Sequence, residues 1–565
     1  MEYLLGIDLG TTNCTVTAVD ENGKTTVVKN RDGEYVTPSA VFFCEEKNKF
    51  IVGKKAKEMA PEDVNGQLVT LVKRQMGSEK TKVRRNPVTG KYKPYEYWDK
   101  LFSPEEISSK ILKQLKEDAE SQLKTTVKQV VITCPAYFKQ DQKEATRMAG
   151  ELAGFDVLEV ITEPTAAALS YSTVSEKIKK DGKERVFVFD LGGGTFDVTI
   201  IDLLKDKNGI SNTTKCTDGD ARLGGADWDS ICRGDIIKKF IEKHNVNVTK
   251  ERGPDREKTM GQLTLDVEKL KKELSNPNIT EASIKMEYKG RSIETSYTRE
   301  KYANVTSEFT DRCKVKCINL LKEAAMSWED IDTILMVGSM SNCLFIQDAL
   351  RKLSGKEVLF GNIDPKTCVS QGAAIHAYKK YCDKKGMDSI VDVPKTPSRY
   401  DEAGNDEKLN NDIKKNEESR ISIQINAVTS VLPASICLKG RKGGVIVCKQ
   451  MLLKNHTYPC SFEADYPMGF DNMTEVKLPV YEGESEDPEA NTELGQVILG
   501  LEGSHEQGDL VHVKFEIDNS GIIQVSAIDK KTNKSVFGEI RRNSLMSKEE
   551  IEQAKIDSEN DFFLI

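Results

Sequence analysis

Across residues 1–382, short apolar runs alternate with stretches whose apolar positions recur every three or four residues. Gln129-Val130-Val131-Ile132-Thr133 and Arg185-Val186-Phe187-Val188-Phe189 read as strands with helices between them, which predicts mixed α/β layers. Ser103-Pro104-Glu105-Glu106 predicts a helix start, since Ser caps the first turn, Pro suits its first position and Glu106 reaches back. From Asp383 to Arg420 the chain turns polar, apart from isolated residues such as Ile390, Val391 and Ile413, and residues 383–420 read as a flexible connector. Period-two alternation returns at Ile421-Ser422-Ile423-Gln424-Ile425. It recurs at Glu475–Tyr481, Leu510–Ile517 and Ile522–Ala527, predicting a compact β domain over 421–540. Ser547-Lys548-Glu549-Glu550 predicts one short helix within 541–565.

Two segments stand out because they match: Gly6-Ile7-Asp8-Leu9-Gly10-Thr11-Thr12-Asn13 and Phe189-Asp190-Leu191-Gly192-Gly193-Gly194-Thr195-Phe196-Asp197. Each sets a carboxylate at the end of an apolar strand and follows it with Gly and Thr. Glycine permits a tight turn close to a ligand, so that amides and Thr hydroxyls can meet phosphate oxygens. Carboxylates repel bare phosphate, so a hydrated divalent cation is expected between them. Neither segment has the Gly-Lys-Ser/Thr ending of a P-loop or the following helix of a dinucleotide fingerprint. Their spacing predicts two similar lobes facing across a cleft.

With 565 residues, several packed units are expected. A net charge of −8 spread over mixed charges argues against a nucleic-acid footprint or an anionic membrane surface. The 13 cysteines are scattered singletons apart from Cys313 and Cys317, which fits a reducing compartment rather than a disulfide framework. On one helix face that pair reads as packed thiols rather than half a zinc site. Met1–Gly6 has no basic region and leads into a strand, no apolar run has membrane-spanning length, and Asp561–Ile565 is not a retention address. The expected compartment is therefore cytoplasmic.

The paired loops resemble those of the actin, sugar-kinase and 70-kDa heat-shock superfamily. Val131-Ile132-Thr133-Cys134-Pro135-Ala136-Tyr137-Phe138 and Ile161-Thr162-Glu163-Pro164-Thr165-Ala166-Ala167-Ala168 narrow the resemblance to the heat-shock-70 chaperones. That resemblance implies a two-lobed actin-like ATPase domain over residues 1–382 followed by a β-sandwich, with ATP or ADP and Mg²⁺ as cofactors. It implies that Gly10, Thr11, Thr12, Asn13, Gly192, Gly193, Gly194, Thr195, Gly224 and Gly225 surround the phosphates. Asp8 and Asp190 would hold magnesium through water, Glu163 and Asp197 would organise the attacking water, and Lys73 matches the catalytic lysine. Glu268, Lys271, Lys272, Ser275 and Gly338 fall at nucleoside-contacting positions. Lys272 and Asn342 replace arginines there, Ser339 replaces a glycine and Lys366 an acid, so weaker adenine recognition is expected. Pro135 and Lys143 match the interdomain coupling pair, with lysine where arginine is usual.

By the same resemblance Tyr466 and Val476 fall at peptide-groove positions, an extended peptide adding main-chain hydrogen bonds to an apolar pocket. Lys439, Arg441 and Lys442 stand where apolar groove residues are expected; the linker reads as long and polar, and an altered member of the family without the helical lid and acidic tail is expected. Expected partners are a J-domain co-chaperone, a nucleotide-exchange factor and unfolded or nascent polypeptide. The leading reading is an atypical chaperone with slow Mg-ATP hydrolysis. The alternative is a non-hydrolysing ATP-bound scaffold of a ribosome-associated J-domain complex. A sugar or acetate kinase would explain the loops but not Glu163-Pro164-Thr165 or the β domain.

Overall fold

The computed structural model describes residues 2–44, 49–63, 66–78, 84–85, 92–93, 95–97, 100–175, 178, 182–360, 363–394, 420–518 and 521–540. In the first lobe β1 (Tyr3–Asp8), β2 (Asn13–Asp20), β3 (Thr25–Val27), β4 (Gln129–Cys134) and β5 (Asp156–Thr162) order as β5-β4-β1-β2-β3. The β1–β2 and β2–β3 pairs are antiparallel, while β1–β4 and β4–β5 are parallel. Helix α1 (Pro104–Leu123) begins at the capping box read from the sequence, with Glu106 N–H on Ser103 Oγ at 3.1 Å and Ser103 N–H on Glu106 Oε2 at 2.7 Å. Helices α2 (Gln140–Leu152) and α3 (Glu163–Val174) follow β4 and β5.

The second lobe repeats this plan. Strands β6 (Gly182–Leu191), β7 (Phe196–Asp206), β8 (Gly209–Asp220), β9 (Thr333–Val337) and β10 (Val358–Leu359) order as β10-β9-β6-β7-β8, again antiparallel on one side of the central strand and parallel on the other. Its helices include α4 (Gly225–His244), α5 (Pro254–Leu274) and α6 (Ser307–Glu323). Cys313 and Cys317 are buried on α6, and the cysteines form no disulfides. Helix α7 (Cys368–Lys385) packs with α3 between the lobes; the glycine at position 6 is required because a Cβ there would lie 2.0 Å from Ala374 N.

Beyond α7 the chain departs from the expected polar connector. Residues 383–385 complete α7, and β11 (Ile390–Pro394) pairs antiparallel with β12 (Arg420–Val431). Strand β12 meets the β domain only at its end, where Ser430 and Val431 pair with Tyr458 and Thr457. It runs parallel to β8, extending the second lobe's sheet, and buries Val391, Val393, Ile423 and Ile425 in the inter-lobe core. The boundary drawn at residues 382 and 421 therefore moves. An open edge at β8 offers unpaired backbone groups, and the alternation of Ile421, Ile423 and Ile425 supplies one apolar face to cover it. Residues 395–419, within the expected connector, and 541–565, with the expected helix after Ser547, lie outside the described residues.

The β domain is a sandwich of two four-stranded sheets. One orders β13 (Ile436–Lys442) and β14 (Val445–Leu452) beside β16 (Glu475–Glu482) and β17 (Thr492–Gly500). The other runs β15 (Cys460–Pro467), β18 (Leu510–Ile517), β19 (Ile523–Asp529), β20 (Ser535–Glu539). Leu438, Leu478, Val480, Val513, Phe515 and Val525 fill the space between. Among the described residues no helix is long and apolar enough to cross a membrane.

Candidate nucleotide site

The two glycine hairpins meet face to face. A Cβ on Gly193 would lie 2.0 Å from Thr12 Oγ1, and one on Gly194 would lie 2.2 Å from Thr11 Cγ2, so a methyl at either position pushes the lobes apart. Gly224 approaches Gly194 as closely, with 2.4 Å from its would-be Cβ to Gly194 N. Gly225 and Ala226, at the start of α4, donate their N–H groups to Gly192 O at 3.0 Å and Gly193 O at 2.8 Å. Arg74 Nε donates to Gly194 O at 2.7 Å and its guanidinium pairs with Asp227, fixing the second hairpin from the first lobe. Thr11 is buried, and its Oγ1 has no hydrogen-bond partner. An orphaned hydroxyl in a cleft of main-chain donors fits a phosphate acceptor. Asn13 lies at the start of β2 and donates Nδ2 to Thr12 Oγ1 at 3.3 Å.

Behind the hairpins Lys73 is ion-paired with Glu163, and its ammonium acts electrostatically on Asp8, Asp190 and Asp197. Lys73 is 2% exposed. Burial alone would lower Lys73, but Glu163 and Asp8 outweigh it and hold the ammonium above its ordinary value. Burial, reinforced by Glu163, lifts Asp8 from 3.8 to about 7; Lys73 and the Thr133 hydroxyl, 3.3 Å from Asp8 Oδ1, counter it. Burial and the same repulsion put Asp190 and Asp197 well above the usual carboxylate range. One lysine cannot balance this set, and a divalent cation restores the carboxylates to their charged form. Among the described residues no three His, Cys, Asp or Glu side chains are grouped tightly enough to ligate a metal directly. Magnesium held through retained waters suits that spacing.

On the adenine side, the positions read from the sequence have protein partners. Lys271 Nζ donates to Gly225 O at 2.9 Å and pairs with Asp229 at 2.7 Å. Glu268 pairs with Lys57 at 2.6 Å and Lys272 at 3.3 Å. Burial opposes its ionisation, yet the two lysines pull Glu268 down to about 2. Because Lys57 lies on the first lobe and Glu268 on α5, this pair clasps the lobes across the cleft mouth. Ser275 Oγ donates to Lys271 O at 2.9 Å. Gly338 takes φ 83°, and a Cβ there would lie 2.6 Å from Asp190 Oδ1. Asn342 bonds to Ser339 O at 3.1 Å. Sequence reading missed Lys57, Arg74, Asp227 and Asp229; of these only Arg74, beside Lys73, carried a local signal.

The positions expected to couple the domains, Pro135 and Lys143, border the cleft and the β domain respectively. The turn after Pro135 donates Ala136 N–H to Asp197 Oδ1 at 3.0 Å. From α2, Lys143 donates to Tyr458 Oη at 3.3 Å with its ammonium 5.4 Å from the ring centroid, and Gln140 N–H bonds to buried Glu482 Oε2 at 3.2 Å. Across the second lobe Lys454 pairs with Glu323 at 2.9 Å, and Asn455 accepts from Thr217 N–H at 3.2 Å. Tyr466 and Val476 are half-buried against the sandwich core, Tyr466 Oη donating to Met451 Sδ at 3.3 Å.

A family described as Hsp70 protein matches residues 4–399 and 408–562. The chain belongs to the Hsp70 family of chaperones. It is 33% identical over 563 residues to the chaperone protein DnaK of Mycoplasmopsis synoviae (strain 53), covering 99% of this chain and 82% of that protein. As an Hsp70 it has the two-lobed actin-like ATPase fold and the β-sandwich that the paired hairpins and the period-two segments imply.

Proposed function

We propose that this Hsp70 is an atypical chaperone that binds Mg-ATP, hydrolyses it slowly and uses the nucleotide to regulate retention of unfolded or nascent polypeptide by the β domain. The observation that carries this reading is the buried Lys73–Glu163 pair, electrostatically coupled to Asp8, Asp190 and Asp197, together with two opposed glycine hairpins. When bound, magnesium supplies charge neutralisation at the terminal phosphates. Thr11, Thr12, Thr195 and the hairpin amides hold the phosphate oxygens, and Asp8 and Asp190 position the cation's waters. Glu163 and Asp197 orient the attacking water, and Lys73 steadies the charge that develops. The lysine clasps at Glu268 and Lys271 leave adenine with fewer polar partners, so affinity rests mainly on phosphate and metal. Calorimetric titration of ATP with and without Mg²⁺ tests this: metal-dependent binding is expected, and no binding in either condition sinks the reading.

The family's role suggests a J-domain co-chaperone, a nucleotide-exchange factor and the cytoplasm as partners and setting. A second reading, a non-hydrolysing scaffold of a ribosome-associated J-domain complex, draws on the antiparallel β11–β12 pair. That pair ties the interdomain strand into the second lobe and to the first through Asp392 N–H on Gly23 O at 2.9 Å. Copurification with a J-domain protein or ribosomes, unaffected by Lys73→Ala, selects it.

A further inference from the structure

The β13–β14 hairpin carries an unusual surface for a polypeptide-binding unit. Val445, Ile446 and Phe470 are 63%, 48% and 59% exposed. They are contiguous: Arg441 is paired with Ile446 across the hairpin, Lys442 with Val445, and the Arg441 guanidinium lies 5.8 Å from the Phe470 ring centroid. Further along, Lys449 covers the Tyr466 ring at 5.0 Å. Arg441, Lys442 and Lys449 have no carboxylate partner among the described residues. An exposed apolar strip edged by uncompensated cations fits an extended ligand that is itself apolar and acidic.

The chain contains such a ligand. Residues 556–565 read Ile556-Asp557-Ser558-Glu559-Asn560-Asp561-Phe562-Phe563-Leu564-Ile565, acids at alternate positions followed by four large apolar residues. They follow β20, on the sheet that packs against the hairpin's own sheet. From Ile540 to Ile556 the backbone can span on the order of 50 Å, enough to cross one sandwich.

We propose that residues 556–565 dock on the β13–β14 hairpin of the same chain, Asp557, Glu559 and Asp561 against Arg441, Lys442 and Lys449, and Phe562–Ile565 against Val445, Ile446 and Phe470. The segment is a self-ligand that competes with polypeptide clients and selects for clients of acidic, aromatic character. This builds on the β domain as the polypeptide-binding unit but does not depend on nucleotide hydrolysis.

The test places a photo-reactive benzoylphenylalanine at position 562 of the full chain and maps its crosslinks. Crosslinks within residues 439–449 or at Phe470, in monomer, are expected; crosslinks elsewhere, in dimer only, or none above an unirradiated control overturn the proposal. Arg441→Glu with Lys442→Glu is expected to lower the yield at least fivefold, and adding Asp557→Lys, Glu559→Lys and Asp561→Lys to restore it. An unchanged yield in the first variant contradicts the charge pairing. A fluorescent neutral apolar peptide, titrated into the Phe562→Ser/Phe563→Ser chain, separates the two readings. Binding at least tenfold tighter than in the unaltered chain supports competition. Equal binding overturns the self-ligand while leaving the β domain a peptide binder, and absence of binding in both chains removes the reading on which it builds.

Discussion

Lys73 and Glu163 form an ion pair sealed from solvent, Lys73 coming from a short turn of the first lobe and Glu163 from the first position of α3. Removing one partner leaves the other charge buried and uncompensated, at a cost of about 3–5 kcal/mol. Lys73→Ala is therefore expected to lower the melting temperature of the nucleotide-free chain and to abolish any hydrolysis, and Mg-ATP is expected to recover part of the lost stability. Calorimetric melting with and without Mg-ATP checks this.

Asp8 is raised from 3.8 to about 7. Between those values the folded chain binds more protons than the unfolded chain, so stability contributed by this group is greatest at low pH and is lost as pH rises toward 7. The nucleotide-free protein is expected to destabilise across that window, and Mg-ATP, which favours the ionised carboxylates, to flatten the dependence. Denaturant midpoints from pH 5 to 8, with and without ligand, measure the effect.

Gly193→Ala places a methyl into Thr12. Overpacking of this kind costs about 1–3 kcal/mol, and where it falls on the nucleotide-holding arrangement, at 1.4 kcal/mol per tenfold, ATP binding is expected to weaken by about five- to a hundredfold while the β domain stays folded. Titration calorimetry and circular dichroism distinguish a local effect from unfolding.

At the domain interface Glu482 is buried against Gln140, Lys139, Asp141 and Lys143, and burial lifts it from 4.5 to about 7. The docked arrangement favours its protonated form, so docking is expected to weaken as pH rises toward 7 and Glu482→Gln to remove that dependence. Tyr458→Phe keeps the ring beside Lys143 and loses the hydroxyl acceptor, which should cost docking about 1–3 kcal/mol. Energy transfer between dyes on the two domains reads both outcomes.

How much of this was legible in the sequence depended on whether the signal was local. The glycine hairpins, the Ser103 capping box and the buried strand ending at Leu191 each carry their geometry in a few adjacent residues. Strand β12 did not: Ile421-Ser422-Ile423 reads as a β-domain strand by period, and only the open edge of β8, two hundred residues earlier, decides which sheet it joins. Glu268 and Lys271 fell at expected nucleoside-contacting positions, yet their partners Lys57 and Asp229 are distant in sequence, so neither the Glu268–Lys57 clasp across the cleft nor the Lys271–Asp229 pair had a pattern to betray it.

The most direct test of the account is single-turnover hydrolysis of Mg-ATP by the purified chain, with Lys73→Ala as the blank. Slow phosphate release that disappears in the variant is the predicted result. Tight binding with no release from either protein would contradict an ATP-driven chaperone cycle and leave a static, ATP-bound scaffold.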